Sequence, residues 1–221
     1  YSQYAKVDSK FLVKKPKELT LKQAMIMGTA GFTALQSAFV TKLTREELLL
    51  GEKVNDVIVS GASGGVGSIA IMILKKLGCN VTAVTGKNNN IEYLKSLGAK
   101  NVLNTSELTK DARPLDKGLW DGAVDTVGGK VLENIISQTK DSGIVASCGN
   151  AADIKLNTTV MPFIIRGVKL WGINSVTVSN VRRKFLWSEV SKLVDFELLN
   201  KSIKEISLEE VNDVYSKMLK G

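Results

Sequence analysis

Apolar and polar positions in this chain switch between two rhythms. Val57-Ile58-Val59 is a short β-branched run, continuously apolar, as a strand covered on both faces requires. From Ser68 to Leu77 the pattern turns helical, and Gly78 stops it. Asn80 to Thr85 returns to the strand rhythm, and Ile91 to Leu97 reads as a helix ending at Gly98. Val102-Leu103 predicts a short third strand and Arg113 to Asp121 a polar loop. Gly122 to Gly128 predicts a fourth strand, Val131 to Gln138 a helix, Gly143 to Gly149 a fifth strand and Lys169 to Ile173 a sixth. Strand, helix, strand at this spacing means an α/β fold: a doubly wound parallel sheet with helices on both faces.

The flanks are less regular. Tyr4 to Val7 and Phe11 to Val13 look strand-like until Lys14-Lys15-Pro16 breaks them. Thr20 is placed to cap a helix starting at Leu21. Gly28 to Ala34 is small, carries the hydroxyls of Thr29 and Thr33, and runs into the helical Leu35 to Val40. Such a stretch permits close helix packing or forms a ligand wall; its chemistry favours packing. Ser188 to Val194 and Leu208 to Leu219 read as amphipathic helices.

Chemistry enters between the first strand and its helix. Gly61-Ala62-Ser63-Gly64-Gly65-Val66-Gly67 has the layout of a dinucleotide-binding turn, with Ala62 in place of the first glycine. Glycine lets the turn be tight and a pyrophosphate approach the backbone, and the helix start offers free N–H groups to the anion. An ordinary glycine turn has the same residues; the strand before, the helix after and the second strand at the right distance weigh against it. Ligands of such sheets lie beyond the carboxyl ends of the strands, so residues 62–66, 85–87, 125–128 and 149–150 should share one rim.

The second strand ends Thr85-Gly86-Lys87, where a site for NAD usually carries Asp or Glu to hold the ribose. Without that acid a 2′-phosphate meets no repulsion. Lys87 could pair with it and Thr85 could donate to it, which favours NADPH over NADH. Lysine is a point charge and not a fork, so the preference need not be strict. The alternative for Lys87 is a solvated surface residue.

Composition narrows this further. Hydrophobic residues make up 44% and charged ones 24%, enough for a real core. The chain has no histidine and two cysteines, so it lacks the commonest general base and too few ligands remain for a zinc site; no metal is expected. Cys79 and Cys148 stand in apolar surroundings and read as reduced thiols, which fits a cytoplasmic location. No apolar run reaches the roughly 20 residues of a membrane span, and no secretory leader opens the chain, so no membrane is expected. Net charge is +8, but the lysines are spread and not clustered with aromatics. That pattern argues against nucleic acid and suits a polyanionic cofactor. Tyr1 is not a natural translation start, which suggests that residues before it are missing.

These motifs resemble the zinc-free medium-chain dehydrogenases/reductases. The resemblance is carried by residues 28–34, 61–67, Glu92 to Ala99, Val124 to Gly128 and Thr158 to Arg166, and points to the YhdH/YhfP quinone-oxidoreductase-like branch, which includes NADPH-dependent acrylyl-CoA reductase. It implies a Rossmann fold over residues 20–180. It further implies that residues 1–19 end a truncated GroES-like catalytic domain, and that residues 181–221 return towards that domain without its final strand.

For the cofactor the resemblance implies Ser63, Gly64, Gly65 and Val66 on the pyrophosphate and Thr85, Gly86 and Lys87 on the adenosine phosphate. Thr105 stands where several relatives have Arg. Asn150, Ile165 and Ser175 would line the nicotinamide side, with core packing as the plainer use of Ile165. The implied activity is hydride transfer from NADPH to the activated C=C of an enoyl-CoA or to a quinone-like acceptor, in a homodimer. No catalytic acid is assigned. The competing expectation is a nucleotide-binding, dimerising module without turnover. A methyltransferase is disfavoured by Thr85, since that class generally carries an acid there.

Overall fold

Six parallel strands form one sheet in the order β3-β2-β1-β4-β5-β6 in the computed structural model, which describes residues 4–218. They are β1 (Asp56–Val59), β2 (Asn80–Thr85), β3 (Ala99–Asn104), β4 (Trp120–Asp125), β5 (Thr139–Ser147) and β6 (Lys169–Gly172). The helices are α1 (Leu21–Ala38), α2 (Arg45–Leu48), α3 (Gly65–Lys76), α4 (Ile91–Ser96), α5 (Gly129–Ser137), α6 (Met161–Arg166), α7 (Asn180–Leu193), α8 (Phe196–Asn200) and α9 (Val211–Met218). This is the doubly wound, Rossmann-like α/β arrangement that the two rhythms predict.

The strand order follows from chirality. Right-handed crossovers from β1 through β2 to β3 put α3 and α4 on one face, and the reversal at β4 puts α5 on the other. Side chains sort accordingly, with a period of two. Val57, Val59, Val81, Ala83 and Val124 join a core with α1, α3, α7 and α8, whereas Ile58, Val84, Ala123 and Val145 join a second core with α5. The chain reverses its order between β1 and β4, and this opens a crevice at their carboxyl ends.

Several expectations are corrected. Residues 4–7 and 11–13 form no strand: a 3₁₀ turn spans Ser9–Phe11, and no sheet edge pairs with them. Tyr1 to Gln3 and Leu219, also part of those expectations, lie outside the described residues. Thr20 does cap α1: its hydroxyl oxygen accepts the Gln23 N–H at 3.1 Å, and Gln23 Oε1 accepts the Thr20 N–H at 2.8 Å. The helix kinks at Gly28 (φ 44°, ψ −149°) and continues through a π turn over Phe39–Thr44 into α2. Leu21–Leu48 is therefore one helical stretch, long and apolar enough to cross a membrane by length and composition, but its most apolar window is 61% buried inside the fold. The small stretch packs as its chemistry favoured: Thr33 is buried, its hydroxyl donates to the Thr29 carbonyl at 2.8 Å, and α1 lies along α3.

Candidate functional site

Two glycines set the turn between β1 and α3. Gly61 has φ +56°, and a Cβ there would lie 2.1 Å from Thr126 Oγ1. Gly67 comes so close beneath the turn that a Cβ would stand 2.5 Å from the Gly61 carbonyl oxygen and 2.7 Å from Ala62 Cα. Those atoms are backbone and cannot swing away. The helix start is thereby drawn against the strand exit. Ala62 is fully buried, and its N–H donates to the Val84 carbonyl at 3.0 Å, so this methyl belongs to the core.

Gly64 is the N-cap of α3, and no side chain caps the helix. The first-turn N–H groups of Gly65 and Val66 therefore remain for a ligand at the positive end of a 12-residue helix. Gly64 and Gly65 are exposed, and Ser63 stands beside them. This cradle can hold a phosphate or pyrophosphate.

The crevice between β1 and β4 is tied by a buried polar cluster. Asp125, with no exposed surface, accepts the Ser60 hydroxyl at 2.6 Å and the backbone N–H groups of Gly128 at 3.0 Å and Val127 at 3.3 Å. Ser60 Oγ in turn accepts the Thr126 N–H at 3.0 Å, and the Thr126 hydroxyl donates to the Ser60 carbonyl at 3.0 Å. Burial pushes the Asp125 carboxyl up, against the lowering effect of those three donors. Sequence reasoning puts Asp125 on the rim without a role; an acid closing an apolar strand three residues before Gly128 is the available signal.

At the end of β2, Thr85 is buried. Its hydroxyl oxygen accepts the Lys87 N–H at 3.1 Å and lies 3.4 Å from the Ser63 hydroxyl. Thr85 thus braces the turn, and exposed Lys87 is the charge free to meet a phosphate. A Cβ on Gly86 would lie 3.7 Å from Thr105 Oγ1, so Thr105 borders the same turn. No carboxylate stands among residues 85–87.

The other half of the rim is less uniform. Asn150 reaches the β4 exit: its Cα would be 3.3 Å from a Cβ on Gly128. Ser175 lies in the loop after β6, where its carbonyl accepts Arg183 Nη2 at 3.3 Å. Ile165 is the exception. It precedes β6, so topology carries it to the edge where parallel strands begin. The neighbouring Arg166 guanidinium is bonded there, to the Ser137 and Thr139 carbonyls at 3.0 Å each. Ile165 is also 60% exposed, which rules out its core-packing use.

Both cysteines are free, and burial pushes each thiol up to about 11. Such thiols are poor nucleophiles. Among the described residues no group of three or more His, Cys, Asp or Glu is placed to hold a metal ion.

Residues 65–195 match the family of zinc-binding dehydrogenases. The chain is 39% identical over 222 residues to the acrylyl-CoA reductase AcuI of Ruegeria pomeroyi, covering 100% of this chain and 66% of that protein. It superposes on the yhdH oxidoreductase of Salmonella enterica, solved in complex with NADP, with a TM-score of 0.91 at 41% identity, covering 98% of this chain and 65% of that one. The yhfP protein of Bacillus subtilis, solved with NAD bound, gives 0.88 at 40% identity, with 98% and 65% covered. The chain thus spans about two thirds of the length of the relatives it matches. On its strand order, its glycine turn and these likenesses together, the chain belongs to the medium-chain dehydrogenase/reductase family, in the branch of AcuI, YhdH and YhfP.

Proposed function

We propose that this chain is the nucleotide-binding part of an NADPH-dependent reductase acting on the activated C=C of an enoyl-CoA or on a quinone-like acceptor. One observation carries the reading: the open N-terminus of α3 adjoins a β2 exit that offers Lys87 and no carboxylate. The pyrophosphate would rest on Ser63, Gly64, Gly65 and Val66, and the 2′-phosphate would meet Lys87 beside Gly86 and Thr105. Asn150 and Ser175 would line the nicotinamide side. When bound, the cofactor supplies the hydride. The chain's own residues orient it through backbone N–H groups and hold the rim closed through Ser60, Asp125 and Thr126. None of them is assigned as proton donor, so protonation is left to water or to residues outside this chain.

The division of the chain follows the same reading. Residues 20–180 form the nucleotide-binding domain, and residues 1–19 and 181–221 join it to a GroES-like catalytic domain. A homodimer is supported by β6, an edge strand whose Leu170 and Trp171 are 38% and 39% exposed. The second reading is a nucleotide-binding, dimerising module without turnover, in keeping with a rim on which no side chain is assigned as proton donor. Fluorescence titration of the chain with NADPH and NADH tests binding, and equal affinities would remove the role of Lys87. Oxidation of NADPH by the full-length protein, with acryloyl-CoA, crotonyl-CoA and simple quinones in turn, separates the two readings and the acceptors.

A further inference from the structure

Behind the loop that leaves β6 lies a cavity of about 280 Å³, apart from the glycine turn. Its walls include Gln36 and Val40 from the α1 side, Asn174 and Thr177 from the loop, and Ser179 and Arg182 at the start of α7. Three features give it a chemical character. Gln36 is only 4% exposed, yet its Nε2 has no hydrogen-bond partner. A buried donor left unmade is costly, and each one needs a reason. The 14-residue α7 begins here, with Ser179 as its cap, so the first-turn N–H groups of Asn180 and Val181 lie at the positive end of the helix. Arg182 adds a full positive charge, and no carboxylate lines the cavity.

The walls are shaped in advance. Asn174 Oδ1 accepts the N–H groups of Val176 at 2.8 Å and Thr177 at 3.2 Å. Arg183 Nη2 donates to the carbonyls of Ser175 at 3.3 Å and Val176 at 3.2 Å. These bonds fix the loop without using the Gln36 amide. We infer that the cavity is a binding site for a small oxoanion, held by the Gln36 amide and the Arg182 guanidinium beside the start of α7. The chemistry suits free phosphate or a small carboxylate.

The test is an NMR titration of the isotope-labelled 221-residue chain with inorganic phosphate and, separately, with acetate, at an ionic strength held constant with chloride. Saturable shifts are expected at the backbone amides of Ser179 and Arg182 and at the Gln36 side-chain amide. Arg182→Gln should weaken the response roughly tenfold, as loss of one charge-assisted contact does. Gln36→Leu should weaken it too. Both variants should leave any phosphate response of Gly65 and Val66 at the glycine turn unchanged, which also reports that the fold is intact. Saturation by phosphate alone names phosphate as the ligand class, and saturation by acetate names carboxylates. Shifts that grow linearly without saturating, or saturating shifts that neither variant alters, would overturn the inference.

Discussion

The two edges of the sheet treat their polar groups in opposite ways. Where the strands begin, charged side chains tie the backbone and one another, although the buried Arg45 guanidinium leaves Nε and Nη1 without a partner. Asp121 Oδ2 accepts the N–H groups of Asn55 at 3.0 Å and Asp56 at 2.8 Å, and Lys140 bridges Asp56 at 3.0 Å and Asp121 at 3.2 Å. Lys42 pairs with Glu46 at 2.7 Å, and Glu46 also accepts the Val54 N–H at 2.9 Å. Where the strands end, glycines replace side chains and the donors of α3 stay open. The first edge holds the fold and the second is left for a ligand. Asp125 stands between these roles, because it holds the ligand edge together from within.

The contrast can be broken at four points, in falling order of effect. Gly64→Asp puts a carboxylate where a pyrophosphate would lie. NADPH affinity should fall by at least about a thousandfold in a fluorescence titration, with the thermal midpoint little changed. Unaltered binding would take the turn out of the site. Asp125→Ala leaves the Ser60 hydroxyl and the Gly128 and Val127 N–H groups without their acceptor. Urea unfolding should show a loss of roughly 2–3 kcal/mol; a loss well below 1 kcal/mol would mean the cluster does not hold the crevice.

Lys87→Ala should weaken NADPH roughly tenfold and leave NADH unchanged. Parallel losses for both nucleotides would show that the lysine acts on the fold and not on the 2′-phosphate. The smallest effect belongs to the other edge. Burial alone would raise the Asp56 carboxyl, but the Lys140 and Asn80 hydrogen bonds and the Lys140 charge outweigh it and hold it below the usual carboxylate range. Its contribution is therefore present above the ordinary aspartate value and is lost as pH falls below it. Lys140→Met should cost less than about 1 kcal/mol at neutral pH and flatten the fall in stability on the acid side. An unchanged acid profile would mean that Lys140 does not stabilise this edge.

Much of this is legible in the residues, and the misses have physical causes. β2 is read at its observed bounds, because Val81, Thr82, Val84 and Thr85 are β-branched and Gly78 and Gly86 flank it. β3 is six residues long, not two, because Lys100 and Asn101 lie on an exposed edge strand where polar side chains cost nothing. α7 starts at Asn180, well before Ser188, although Ser179 caps it; Arg182, Arg183 and Lys184 mask its apolar face. α6 and α8 are too short to show a period. The extended pieces before Pro16 fail because a strand needs a partner, and propensity alone supplies none.

The sequence by itself determined the local order from β1 onwards: the alternation of six strands with helices, where the glycine turn falls, and that no acid follows β2. These depend on neighbours a few positions apart, and spacing records them. Only the tertiary structure decided that Ser60 and Asp125, 65 positions apart, share a hydrogen bond. It also anchored Arg166, next to Ile165, on the Ser137 carbonyl and set the orphaned amide of Gln36 beside the start of α7. Strand order brings such residues together, and strand order comes from the hand of the crossovers and the packing of whole helices, which no local pattern of side chains encodes.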